Sequence, residues 1–195
     1  MATSTIGAVQ KQKMGIVECK FYSPYLPIAA AANNIKAATN ITNAALTALT
    51  QPAVPRNVIL TIVDTTPSIT VGDVTIVGLD QDGNPATEVH DCAAGAGTYT
   101  GAIAFSRITS ITMANFATLG GGGDETIAVG NGDVFGLPCG PNSRLVAVLK
   151  ETLNLVDQTL GVTNATYKTY NPTGVPDAAK ELSIWYIVAH DIFMG

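Results

Sequence analysis

Charge is scarce in this chain: Asp, Glu, Lys and Arg make up only 13% of its 195 residues, against the ~25% usual for soluble domains. With so few charges to cover a surface, and a mean hydropathy of +0.28, part of the apolar surface is expected to lie against another chain. Cations are the scarcer sign. Ten Lys and Arg stand against fifteen Asp and Glu, for a formal net charge of -5 and a pI near 4.8. The basic residues are scattered and form no stripe, whereas a protein that tracks phosphates needs a basic face. Nucleic acid is therefore not an expected partner.

Histidine is almost missing. The two present, His90 and His190, stand a hundred positions apart, and neither belongs to an H-E-x-x-H or H-x-E pattern. There is no G-x-S-x-G elbow, so neither metal hydrolysis nor triad chemistry has a motif to rest on, and no enzyme activity and no cofactor is expected. Cys19, Cys92 and Cys139 are odd in number and contain no C-x-x-C pair. They imply neither a zinc site nor a disulfide framework, but thiols of a protein made in a reducing cytoplasm. Long apolar runs are missing too: the Ala-rich stretch from Leu26 to Thr50 is broken by four Asn and by Lys36, well short of the ~20 residues a membrane helix needs. Lys11 and Lys13 interrupt the start of the chain, which is not expected to be a secretory signal. No membrane partner is expected.

What the chain does contain is Val, Ile and Thr in short runs. NVILTIVD from Asn57, DVTIVGLD from Asp73, AIAFSRITSITM from Ala102, ETIAVG from Glu125 and LSIWYIVAHDIF from Leu182 alternate or are β-branched, with Gly, Pro, Asp and Asn between them. The expected fold is all-β, an antiparallel β-sandwich or a jelly-roll-like or Ig-like domain, over residues 53–195. Residues 1–52 differ in composition, being rich in Ala, Asn and Thr, and are expected to form an extended N-terminal arm. Pro52 and Pro55 mark the boundary. Ile35, Ala38, Ala45, Leu46 and Leu49 recur at spacings near three and four, so one short helix competes there with extended structure. Between 145 and 160 the pattern fits a helix or two strands equally well.

Four residues stand out as candidate partner contacts. Phe21, Tyr22 and Tyr25 are aromatic anchors beside Pro24 and Pro27 in the arm, and Arg56 heads the first strand, where its planar fork could meet a carboxylate, although a solvated strand-end cation is the plainer expectation. Asp80, Asp82, Glu88 and His90 could serve an ion only by converging, and Asp80 to Asn84 is more simply a hairpin turn, with Gly83 supplying positive φ. The run Gly120 to Gly123 lacks the following Lys and Ser or Thr of a phosphate cradle and is expected to be a loop. Asn40-Ile41-Thr42 and Asn164-Ala165-Thr166 match the glycosylation sequon but are expected to be only Asn-rich loops.

The succession TQPAVPRNVILTIVD, GDVTIVGLDQDGNPATEV, AFSRITSI and VGNGDVFGLP, over roughly residues 50 to 140, resembles a group of tailed-bacteriophage virion proteins. Those proteins carry a similar P-R-N strand start, a D-V-T-V-x-G strand followed by a turn, and a V-G-x-G-D-x-x-G-L-P turn. The resemblance implies a capsid decoration, or cement, protein on the virion surface, made in the host bacterial cytoplasm. Its partners would be the major capsid protein and further copies of itself, as a homodimer or homotrimer. A tail or fibre component, or an adhesion module reading host glycans through loops such as Gly120 to Asp124, is the alternative. One Trp and 6% aromatics offer few stacking platforms for sugars.

Overall fold

A computed structural model describes residues 16–22, 27–117, 119, 125–140, 143–174 and 177–190. Its elements are β1 (Ile16–Tyr22), β2 (Ala31–Asn40), β3 (Arg56–Asp64), β4 (Asp73–Asp80), β5 (Pro85–Asp91), β6 (Gly97–Ala114), β7 (Glu125–Gly136), β8 (Ser143–Leu153), β9 (Val156–Asp157), β10 (Val162–Asn164), β11 (Thr169–Asn171) and β12 (Leu182–His190). All pairings are antiparallel, in two curled sheets.

The large sheet runs β10-β11-β7-β3-β6-β4-β5, with β2 added to β7. Period-two alternation fixes which face is inside. Val58, Leu60 and Ile62 of β3, Val74 and Ile76 of β4, and Ile127 and Val129 of β7 all turn into one apolar core. At about 1.5–3 kcal/mol for each aliphatic side chain fully buried, such a set is the main driving force for this sheet. The long strand β6 serves two neighbours in turn: its first half pairs with β3 and its second half with β4.

Residues that composition places in the arm are built into this sheet. β2 pairs with the first half of β7 and β11 with its far end, so the two share one edge of that strand. After β2 the chain crosses to β6, where the Leu46 N–H donates to the Ile111 carbonyl at 2.8 Å and the Met113 N–H to that of Ala44 at 3.1 Å. Ile35, Ile41 and Leu46 thereby enter the core. The short helix weighed for 29–49 does not form: β2 occupies its first part as a strand with two register shifts. Asn and Thr, poor in helix interiors, instead hold neighbouring strands. Asn34 accepts the Asn131 N–H, and Asn43 exchanges two hydrogen bonds with the Phe116 backbone.

The small sheet runs β1-β12-β8-β9. The ambiguous 145–160 segment is strand, β8 turning through Asn154 and Leu155 into β9. Leu182, Ile184, Tyr186 and Val188 of β12, with Leu145 and Val148 of β8, face Phe135, Leu137, Cys139 and Tyr170 in a second core. VGNGDVFGLP, expected as a turn, is mostly strand β7. Gly130 is needed there because a Cβ would collide with the Ala31 carbonyl of β2.

Candidate binding surface and its polar supports

Arg56 opens β3 where the two cores meet, and it is buried. Its Nη1 donates to the Ile28 carbonyl at 2.5 Å and its Nη2 to Asp133 Oδ1 at 3.3 Å. The guanidinium carbon lies 4.8 Å from the centre of the Phe135 ring. Burial lowers its pKa while Asp133 acts to raise it. The carboxylate partner expected of Arg56 thus exists, but within the chain, and the side chain is spent on fastening Ile28 to the junction of the sheets. Tyr22 packs on the second core, and burial pushes its hydroxyl up to about 12 against the opposing field of Arg56. Phe21 lies opposite Trp185 in β1, and Tyr25 lies outside the described residues. Of the proposed contacts, Tyr22 and Arg56 face inward, as anchors for the N-terminal segment.

The Asp80 to Asn84 segment is a turn. Asp80 Oδ1 accepts the N–H groups of Asp82 and Asn84 at 2.8 and 2.9 Å, and Gly83 has φ +81°, a conformation cheap only for Gly. Asp82 reaches away from this turn. Its Oδ1 accepts the Cys139 and Gly140 N–H groups, both at 2.8 Å, and its Oδ2 binds Lys168 Nζ at 2.6 Å. The Lys168 ammonium thus neutralises Asp82 from within the chain. Glu88 turns elsewhere, its Oε1 accepting the Ala102 N–H at 2.6 Å and its Oε2 standing 3.7 Å from His90 Nε2. Burial raises the Glu88 pKa, but His90 and the Ala102 N–H more than offset this and leave it lowered. Asp80, Asp82, Glu88 and His90 do not converge, and among the described residues no group of three His, Cys, Asp or Glu could hold a metal ion. The Gly120 to Gly123 run lies outside the described residues.

Two polar clusters were not visible in the sequence. Glu151 of β8 is fully buried, and its carboxylate accepts the Tyr170 hydroxyl at 2.7 Å, the Thr173 N–H at 3.2 Å and the Gly174 N–H at 2.7 Å. Tyr170 in turn accepts the Gly161 N–H at 2.6 Å. Burial first, then Glu151, raises the pKa of Tyr170, which keeps it a donor. The second cluster spans three strands: Ser143 Oγ is 2.6 Å from His190 Nδ1, and His190 Nε2 is 3.0 Å from Glu18. Which ring nitrogen of His190 donates and which accepts in these two contacts depends on its tautomer. With Ser143 buried, these contacts tie β8, β12 and β1 together. Register was the only signal that could have found it, since His190 lies directly opposite both Ser143 and Ile16.

The outer face of the small sheet is open only in part, with Thr152, Ser183 and Ala189 on it buried. The half-buried Trp185 and Ile187 of β12 alternate with inward-facing core residues, and the exposed Cys19 of β1 lies opposite Ile187. Two register shifts in β8 leave Val146 and Leu149 as extra residues, each 51% exposed. At the hairpin tip Leu155 is 82% exposed, and Val156, opposite the inward-facing Leu153, is 62% exposed. Lys150 lies over the Trp185 ring, 5.5 Å from its centre, and pairs with Asp157 of β9 at 2.8 Å. An open cleft of about 490 Å³ elsewhere, between β2 and Thr42 to Thr47, has Lys36 as its one charged side chain, and that ammonium donates to the Thr47 carbonyl at 2.8 Å. Comparison of the chain with protein-family models, with curated proteins and with solved structures finds no match.

Proposed function

We propose that the chain is a non-enzymatic structural protein of a tailed-phage virion, which decorates and stabilises the capsid shell. Its partners in this role are the major capsid protein and further copies of itself. It is made in the host bacterial cytoplasm and carried on the capsid surface. The ordered motifs from residue 50 to 140 support the assignment to that group of proteins. The observation that carries the attachment mode is the place of β1, which among the described residues is the outermost strand of the small sheet and pairs on one side only, with β12. An edge strand offers a row of backbone donors and acceptors to another chain, and residues 1–15 lead directly into it. The finer architecture that goes with this role is a sandwich-like stacking of the two sheets, jelly-roll-like or immunoglobulin-like in its use of end loops. The antiparallel order of both sheets favours it.

The experiment is co-sedimentation of purified protein with empty shells of the phage from which the gene comes. Deleting residues 1–15 removes no described strand, so the circular dichroism spectrum should stay that of a β protein while saturable shell binding is lost. Unchanged occupancy of the shell by the shortened chain would sink this attachment mode.

A further inference from the structure

We infer, building on the self-association part of the function proposed above, that β1 is exchanged between copies of this chain, each copy seating its β1 on β12 of a neighbour. The first observation is how little β1 supplies to the second core. Residues directly opposite one another in an antiparallel pair share a face, and Glu18, Lys20 and Tyr22 of β1 lie opposite Val188, Tyr186 and Ile184, all three of them core residues. The inward side of β1 therefore carries Glu18, Lys20 and Tyr22, of which Tyr22 is the one that adds apolar surface to that core. On the other flank of β12, β8 contributes Leu145 and Val148. A seven-residue edge strand with one apolar anchor belongs to the elements that open first.

The seat on β12 identifies the occupant. It offers the His190 ring, whose Nε2 is 3.0 Å from Glu18 Oε2, the Cys139 carbonyl, which accepts the Lys20 ammonium at 3.1 Å, and the apolar surface around Ile184 opposite Tyr22. An incoming strand thus needs an acid, a base and an aromatic residue at alternate positions, with the acid toward the His190 end. Glu18, Lys20 and Tyr22 have this order, and every further copy brings it. Exchange keeps each contact of the seat and changes only which chain supplies the strand.

The connection to the rest of the chain favours exchange. β1 ends at Tyr22, and the chain is soon fastened again: the Pro27 carbonyl accepts the Ala178 N–H at 3.0 Å, and the Ile28 carbonyl accepts Arg56 Nη1 at 2.5 Å. These ties hold whether β1 lies on its own β12 or on another. Only residues 23–26 join the two. Pro24 and Pro27 in this stretch bias Ser23 and Leu26 toward extended backbone, because each precedes a proline. A short connection that resists turning back delivers its strand to a neighbour. Each strand so delivered ties two copies together, which suits a protein that cements a shell.

The test uses Cys19, which is exposed and lies opposite the half-buried Ile187 of β12. Directly opposite residues have Cα atoms about 4.5–5.5 Å apart, within disulfide reach. One full-length chain carries Ile187→Cys together with Cys19→Ser, and the other is the parent. The two are co-expressed and oxidised at micromolar concentration. Denaturing electrophoresis without reductant should show a covalent dimer of two 20.1 kDa chains, with at least tenfold less of it when either chain is oxidised alone. Sedimentation equilibrium of the parent should give the mass of two or more chains, and a single-chain mass would overturn exchange without any substitution. Copies that associate but form no mixed link would overturn it as well. Shell co-sedimentation separates the two readings. A single-chain protein that still binds shells overturns exchange and leaves the decoration role standing, while exchanged chains that ignore shells sink that role and leave exchange in place.

Discussion

Under the large sheet the buried side chains are mostly aliphatic, with Phe105, Phe116, Met113 and Cys92 among them, whereas under the small sheet the buried carboxylate Glu151 shares the space with the hydroxyls of Tyr170 and Tyr186. Beside the first core a carboxylate pair sits at strand ends, Asp64 closing β3 and Glu125 opening β7 with Ser68 Oγ between them at 3.3 and 2.9 Å, while the buried Asn57 and Asn131 are amides rather than charges. In the second core polar groups lie within the packing, with Tyr186 donating to the Pro138 carbonyl at 2.7 Å and Tyr170 to Glu151. The difference concerns what holds each region in register. Aliphatic contacts tolerate volume-conserving change, while a buried hydrogen-bonded network fails as a unit when one member is lost.

The largest effect should therefore come from the small core. Glu151→Ala removes the acceptor for Tyr170, Thr173 and Gly174 at once, and should cost about 4 kcal/mol, as expected when one partner of a buried polar network is deleted. By comparison, Ile111→Val in the large core should cost about 1 kcal/mol. Urea unfolding of both variants reads the contrast, and equal costs would break it. A smaller loss is expected at the bridge between the regions. Lys168→Met keeps the aliphatic stem but drops the 2.6 Å contact to Asp82. Asp82 retains the Cys139 and Gly140 N–H groups, so the cost should be about 2 kcal/mol, the value of one charge-assisted bond. No change in the urea midpoint would show the clasp to be ornamental.

The same contrast explains what could be read from the residues alone. β3, β4, the second half of β6 and β12 were legible because their alternation reports a single fact, which face is buried. β2 was not, because its apolar residues are sparse and its place depends on Gly130 in a strand ninety positions later. Val146 and Leu149 blurred the pattern of β8 for a physical reason: each bulge shifts the alternation by one residue, so a strand with two bulges approaches helical spacing. The polar ties were out of reach altogether. Arg56 looked like a surface cation because its partners, Ile28 and Asp133, are 28 and 77 positions away. Glu151 and His190 carry no local motif, since each depends on strands brought together only by the fold.

The cysteines allow the two regions to be compared in one molecule, because nature has placed one buried thiol in each. Cys92 belongs to the large core and Cys139 to the small one. Burial, helped by Asp91, pushes the Cys92 thiol up to about 12, and burial, helped by Asp82, pushes that of Cys139 up to about 11. Near pH 8 neither is a thiolate in the native state, so a thiol reagent reaches each only when its surroundings open. Cys19 is exposed and is removed from the measurement by Cys19→Ser. The segment carrying Cys139 is held by Asp82, Lys168 and the Tyr186 hydroxyl rather than by strands on both sides, so it should open more readily than the β5 to β6 connection around Cys92. A difference of about 1.4 kcal/mol in opening free energy would make Cys139 react tenfold faster. Lys168→Met should widen that ratio by accelerating Cys139 alone. If both thiols react at one rate in the parent and in the variant, the two cores open together and form a single cooperative unit despite their different composition.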